Sequence, residues 1–191
     1  MFIELTDHLR CTADHAESYL VLLPGTMQER EVLSGELGCP ECGRVVCIED
    51  GVVEFGGGTP SEGRTALSAE AIAAFLGVSG PGGYLALVGG VTSLAKPLTE
   101  LLPDIGLALI NPRVDPETRG AGVLRAGRFP LKGHSLRGVV VGADHAAEPW
   151  LRDAAAAVLP GLRIVAEGGE VPDAAIELLA QSADCWVGRK R

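Results

Sequence analysis

Short apolar runs broken by turn residues fill the first 55 positions. Leu20-Val21-Leu22-Leu23 precedes Pro24-Gly25, Glu36-Leu37-Gly38 leads into Cys39, and Val45-Val46-Cys47-Ile48 and Val52-Val53-Glu54-Phe55 flank Glu49-Asp50-Gly51. The pattern predicts short strands, the last two joined as a hairpin. After residue 66 the period changes. Leu67, Ala71, Ile72, Phe75 and Leu76 recur at helical spacing and stop at Gly77. Tyr84 to Val88 reads as a strand running into Gly89-Gly90. Ser93 then caps a helix carrying Leu94, Leu98, Leu101 and Leu102, with Pro97 in its first turn. Apolar runs at Ile105 to Ile110, Leu136 to Val141 and Leu162 to Ala166 predict strands. Helices are expected from Pro149 through Leu159 and from Pro172 through Ala180, before a last short strand at Cys185-Trp186-Val187. Strands apolar on both faces and alternating with helices imply a mostly parallel, doubly covered sheet, whose ligands bind beyond the carboxyl ends of the strands.

The two patterns meet at Gly56-Gly57-Gly58-Thr59-Pro60-Ser61-Glu62-Gly63, which has linker composition. The expected organisation is a β-rich module over residues 1–55, a linker over 56–66 and an α/β domain over 67–191. The first module is too small to bury much apolar area and needs a staple. The whole chain of 191 residues is 47% hydrophobic, enough for a core, and no apolar run reaches the length of a membrane helix, so no membrane insertion is expected. Its net charge of −9 disfavours broad contact with nucleic acid. The opening residues carry neither a basic nor an apolar leader, so a cytoplasmic, reducing location is expected.

Five cysteines in a reducing compartment point to metal rather than disulfides. Cys39-Pro40-Glu41-Cys42-Gly43 is a knuckle that offers two thiolates to one tetrahedral ion, expected to be Zn2+. The other half falls in Cys11-Thr12-Ala13-Asp14-His15. Cys11 is the third ligand, and His15 is preferred to Asp14 as the fourth because imidazole is the commoner structural ligand. Cys47, in an apolar strand, is read as a small packed hydrophobe.

With these residues in place, Leu5 to Phe55 resembles the small zinc-ribbon family that includes the activator subunit of tRNA and protein methyltransferases. Leu9-Arg10-Cys11 matches the first part of that pattern, and Cys39 to Gly43 with Ile48-Glu49-Asp50-Gly51-Val52 matches the second. Asp14-His15 stands where the family has the second cysteine of its first pair. From Leu67 to Arg191 the chain resembles a class I S-adenosylmethionine-dependent methyltransferase, on Tyr84 to Gly90, Arg128 to Val141 and Glu148 to Val165. The resemblance implies an α/β fold, here a small zinc ribbon followed by a truncated Rossmann-like domain, short at its end for the usual closing hairpin. It also implies a cofactor site over Gly89 and Gly90, and that site is degenerate. Leu87 and Asn111 stand where the family has acidic residues, Val91 interrupts the glycine loop, no acid lies around Arg125-Ala126-Gly127, and Arg137 replaces an aspartate. Gly89, Gly90 and Asn111 are therefore read as vestigial, and S-adenosylmethionine is not expected to bind.

No side chains assemble a recognisable catalytic set. Asp144-His145 and His134 are read as turn and loop residues, Ser135 lacks a nucleophile elbow, Trp150 and Trp186 as packing residues, and Arg189-Lys190-Arg191 as a solvated tail. The expected function is a non-catalytic scaffold or accessory subunit that binds another protein. An active methyltransferase with an unorthodox cofactor loop is the alternative, and a ribbon that binds nucleic acid is a third, disfavoured by charge.

Overall fold

In the computed structural model, which describes residues 1–114, 121–171 and 175–191, eleven strands form one continuous mixed sheet. The ribbon contributes four antiparallel strands, β1 (Val21–Gln28), β2 (Glu31–Gly38), β3 (Val45–Glu49) and β4 (Val52–Gly56). Asp50 and Gly51 both take positive φ, the tight hairpin turn that joins β3 to β4 with the twist of the strands. Next come β5 (Tyr84–Val88), β6 (Gly106–Ile110), β7 (Ala121–Ala126), β8 (Leu136–Val141) and β9 (Val158–Ala166), all parallel. An antiparallel hairpin, β10 (Ile176–Gln181) and β11 (Trp186–Lys190), closes the far edge. The spatial order is β1-β2-β3-β4-β7-β6-β5-β8-β9-β11-β10. Its five parallel strands start in the middle and reverse direction of travel between β5 and β8, the switch point of a doubly wound sheet.

The join between the two parts is β4 against β7, a parallel pair with Val52 opposite Val123 and Gly56 opposite Ala126. One face of the sheet is covered by α1 (Ala69–Leu76) and α2 (Ala95–Leu101), whose Ile72, Leu76 and Leu98 pack on Leu85, Leu87 and Leu107. Ser68 caps α1, accepting from the Ala71 N–H, and Gly77 ends it in the left-handed conformation. The opposite face is covered by α3 (Trp150–Ala157) and by the amino-terminal segment, where Leu5 and Leu9 are fully buried on Leu124, Phe129 and Leu131. Residues 1–55 and 67–191 thus share a sheet and a core.

Several expected elements differ. The sheet is large and mixed and the helices are few and short, so the even α/β alternation read from the sequence holds only in part. Residues 176–181 form β10 rather than a helix, since Ile176 and Glu177 pair with Lys190 and Arg189; Pro172, the expected start of that helix, lies outside the described residues. The closing hairpin, judged missing from a truncated domain, is therefore present. Arg189 is held within it by the Glu177 carboxylate at 2.7 Å, so the basic end of the chain is strand as far as Lys190, with Arg189 and Arg191 exposed as expected. Strand β1 runs through Pro24-Gly25 with a bulge, and the turn comes later at Glu29-Arg30. Proline is tolerated there because β1 is an edge strand. Cys47 is exposed, not packed, because strand alternation turns its neighbours Val46 and Ile48 inward. Strand β7, of mixed Gly, Ala and Arg composition, carries no sequence signal of its own.

Phe129 is 1% exposed and belongs to the core that both parts share. Phe129→Ala is expected to destabilise the protein by about 3–5 kcal/mol. Urea unfolding followed by tryptophan fluorescence and by far-ultraviolet circular dichroism should give one coincident transition for the parent and the variant.

Candidate functional site

The four residues expected to hold a metal lie together. The ligand atoms of Cys11, His15, Cys39 and Cys42 are all within 4.8 Å of one another. Cys11 follows Arg10, whose backbone N–H donates to the Pro130 carbonyl while its guanidinium reaches Asp153 on α3 at 2.7 Å. The Cys11 N–H donates to Ser18 and closes the first loop. The second loop is the turn after β2, where the Gly43 N–H donates to the Cys39 carbonyl and the Cys39 N–H donates to Arg44. The Cys11 and Cys42 sulfurs are 3.8 Å apart, and Cys39 Sγ is 3.5 Å from His15 Nε2. A tetrahedral centre with zinc-like bond lengths requires separations of about 3.8 Å between sulfurs and about 3.6 Å from sulfur to nitrogen. The donor set fits. His15 Nδ1 lies 2.6 Å from the Ala16 carbonyl, which fixes the tautomer that leaves Nε2 free to ligate. Asp14 is exposed and outside the group.

Burial pushes the Cys11 thiol up to about 11. Burial acts the same way on Cys39, but N–H groups of Cys42 and Glu41 donating toward its sulfur outweigh it and bring it down to about 6. One sulfur is thus ready as a thiolate, while the other releases a proton on binding metal. An ion held by all four residues would have no open position, which is the arrangement of a structural rather than a catalytic site.

The second candidate region is the crevice at the carboxyl ends of the parallel strands, which residues 57–68 cross, leaving a cavity of about 550 Å³ beside Gly63, Gly90, Ser93 and Arg113. The segment crosses the strand ends in turn. Gly127 N–H donates to the Gly56 carbonyl beyond β7, and Ser61 N–H donates to the Asn111 carbonyl beyond β6. A Cβ on Gly90, beyond β5, would lie 2.9 Å from the Gly63 carbonyl carbon, so the segment rests directly on the glycine loop. Beyond β8, the Ser61 hydroxyl donates to Asp144, and beyond β9 the Thr65 hydroxyl and Ala66 N–H donate to Glu167 at 2.8 and 2.7 Å.

Asn111 anchors this arrangement. Its φ of 54° is one that asparagine tolerates, and it folds the side chain onto β7. Oδ1 accepts from the Ala126 N–H and Nδ2 donates to the Ala126 carbonyl, both at 2.9 Å. The amide therefore continues the sheet ladder by one rung. With that orientation fixed, His145 Nε2 accepts from Nδ2 at 3.2 Å, and His145 Nδ1 lies 3.2 Å from Asp144 Oδ2. Burial would raise the Asp144 carboxyl, but the Ser61 hydroxyl, the Gly90 N–H and His145 hold it below its ordinary value. Asp144 and His145 are thus members of a network that pins the crossing segment, a role their sequence context did not reveal. Gly89 and Gly90 lie under this network, and Val91 and Leu87 are buried. Arg137 is elsewhere. It stands at the amino end of β8, where its guanidinium donates to the Gly80 and Gly82 carbonyls at 2.8 and 2.7 Å, so it takes no part in the crevice.

Cys42→Ser is expected to bring bound metal well below one equivalent per chain by elemental analysis. Asn111→Asp places a carboxylate oxygen against the Ala126 carbonyl in place of a donor. It is expected to cost about 1–3 kcal/mol in chemical unfolding, with faster amide exchange across residues 57–66.

No family model and no curated protein matches the chain. Two crystal structures of the antibiotic-resistance methyltransferase Kmr are similar to it, each at 12% identity over 70% of this chain. They cover 97% and 99% of the Kmr chain, with TM-scores of 0.42 and 0.43.

Proposed function

We propose that this protein is a non-catalytic, methyltransferase-like scaffold stapled by one zinc ion and acting in the cytoplasm as an accessory subunit for another protein. The observation that carries this reading is the crossing segment. A cofactor over Gly89 and Gly90 would need the volume that Gly63, Ser61, Asp144 and His145 occupy. It would also need an acceptor for ribose hydroxyls where Asn111 spends both of its amide atoms on Ala126. The parallel strand order and the closing hairpin support the methyltransferase-like part. Zinc is favoured over other divalent ions by the sulfur-rich donor set of three thiols and one imidazole. Among the described residues no helix is long and apolar enough to cross a membrane. The protein-binding role draws on the ribbon's outer side, where Tyr19, Val21, Leu23 and Val45 are all exposed.

Isothermal titration of the zinc-loaded protein with S-adenosylmethionine and S-adenosylhomocysteine tests the reading. No saturable heat is expected at concentrations up to about 1 mM, a contact worth less than about 4 kcal/mol. Asn111→Asp should not restore binding. Micromolar affinity for either compound would return the protein to the enzymes.

A further inference from the structure

Taking the accessory role above as given, we propose that the ribbon's bare sheet face receives a basic amphipathic helix of the partner protein. Strand register fixes which face this is. Leu23 pairs with Glu36, Glu36 with Cys47, Cys47 with Glu54 and Glu54 with Arg125, so these side chains share one side of the sheet. Val123 lies on that same side, two residues before Arg125, and pairs with Leu109, which is buried under α1 and α2. The ribbon face is therefore the continuation of the face that those helices cover. Over β1 and β3 it is uncovered, with Leu23 61% and Val45 53% exposed, while Val46, Ile48, Val53 and Phe55 on the other side are buried.

The face is also shaped to receive a rod. Val21 and Val45 flank Gly38 in register, and a Cβ on Gly38 would meet nothing, which leaves a trough between the two valines. Beside it, a cavity of about 450 Å³ is lined by Leu23, Pro24, Ser34, Glu36, Cys47 and Glu49. Three strands spaced about 4.8 Å apart present about 10 Å, the width of one helix.

Charge selects the occupant. Glu36 and Glu49 have no ion-pair or hydrogen-bond partner among the described residues. The nearby cations are committed elsewhere, Arg30 to Glu4, Arg44 to the Phe55 carbonyl and Arg125 to Glu54. All three strands of the patch are described in full, and β4 lies between them and β7. A helix with an apolar stripe flanked by lysine or arginine covers Val21, Leu23 and Val45 and sets cations on the two glutamates. A second copy of this chain, with its net charge of −9, would bring two patches of the same sign together. Nucleic acid and anionic lipid are repelled by the same carboxylates.

The test is fluorescence anisotropy with the full, metal-loaded chain at about 0.15 M salt and three labelled synthetic peptides. All carry leucine at positions i, i+3, i+4 and i+7 of a helical repeat, with lysine, glutamine or glutamate elsewhere. The lysine peptide is expected to bind at one equivalent, at least about tenfold tighter than the glutamine peptide, and the glutamate peptide not to bind. Glu36→Lys and Glu49→Lys should each weaken it by about fivefold, and Leu23→Ser by about tenfold. Asp184→Lys, in the turn between β10 and β11, makes the same change in net charge as Glu36→Lys and should leave binding unaltered. All four positions are exposed, so metal content and unfolding midpoint should not change. The proposal is overturned if the lysine peptide gives no signal at about 100 μM, or if Asp184→Lys weakens it as much as Glu36→Lys. If the glutamine or glutamate peptide binds as tightly, the basic helix is the wrong occupant while the accessory role stands. A dimer in sedimentation that Leu23→Ser dissociates gives the face to a second copy, and then the accessory role loses its surface as well.

Discussion

The parallel pairing of β4 with β7 sets the terms for everything after it. A chain leaving a strand parallel to the rest of the sheet emerges at the carboxyl edge. To reach α1 and then the amino end of β5, it has to travel over the ends of β7, β6, β5, β8 and β9 in succession. The crossing segment is therefore a necessity of connection rather than an added lid. Its glycines serve contact more than flexibility. A Cβ on Gly58 would fall 2.7 Å from Asn111 Oδ1, so no larger residue could pass at that depth. Joining residues 52–56 to the sheet by that pair and laying the crossing segment over the strand ends are a single structural event.

The metal loops are bound into the same body. Arg10 ties the first loop to Phe129 through its Nε at 3.0 Å and to Asp153 on α3, and Leu9 bridges to Leu131. The side chains of Leu5 and Leu9 occupy a face of the sheet that would otherwise lie bare. Cys11 is thereby joined to the core through the two residues that precede it, Leu9 and Arg10.

Spacing made the metal ligands legible. Thiols and imidazole at short fixed intervals specify a tetrahedral site whatever the surrounding fold. The central strands were legible because Tyr84 to Val88, Ile105 to Ile110 and Leu136 to Val141 are apolar on both faces. What stayed hidden were features decided by partners far along the chain. Strand β7 reads as Gly-Val-Leu-Arg and becomes a strand because it lies between β4 and β6. The run Ile176-Glu177-Leu178-Leu179 has helical composition, and the ladder to β11 overrides it. The turn at Glu29-Arg30 has no turn-forming residue to announce it. Asn111 was recognisable as a missing acid, but its bond to Ala126 depends on a register that only the assembled sheet supplies.

The ladder between β4 and β7 also gives the molecule a direction in time. The four residues that could hold a metal all lie within the first 42, so they can come together while most of the polypeptide is still on the ribosome. The free edge of β4 has no such early partner. Val52 must await Val123, and meanwhile that edge offers unpaired amides and carbonyls to any neighbouring nascent chain. Synthesis of this protein thus contains an interval of vulnerability to cross-pairing, which ends when β7 emerges.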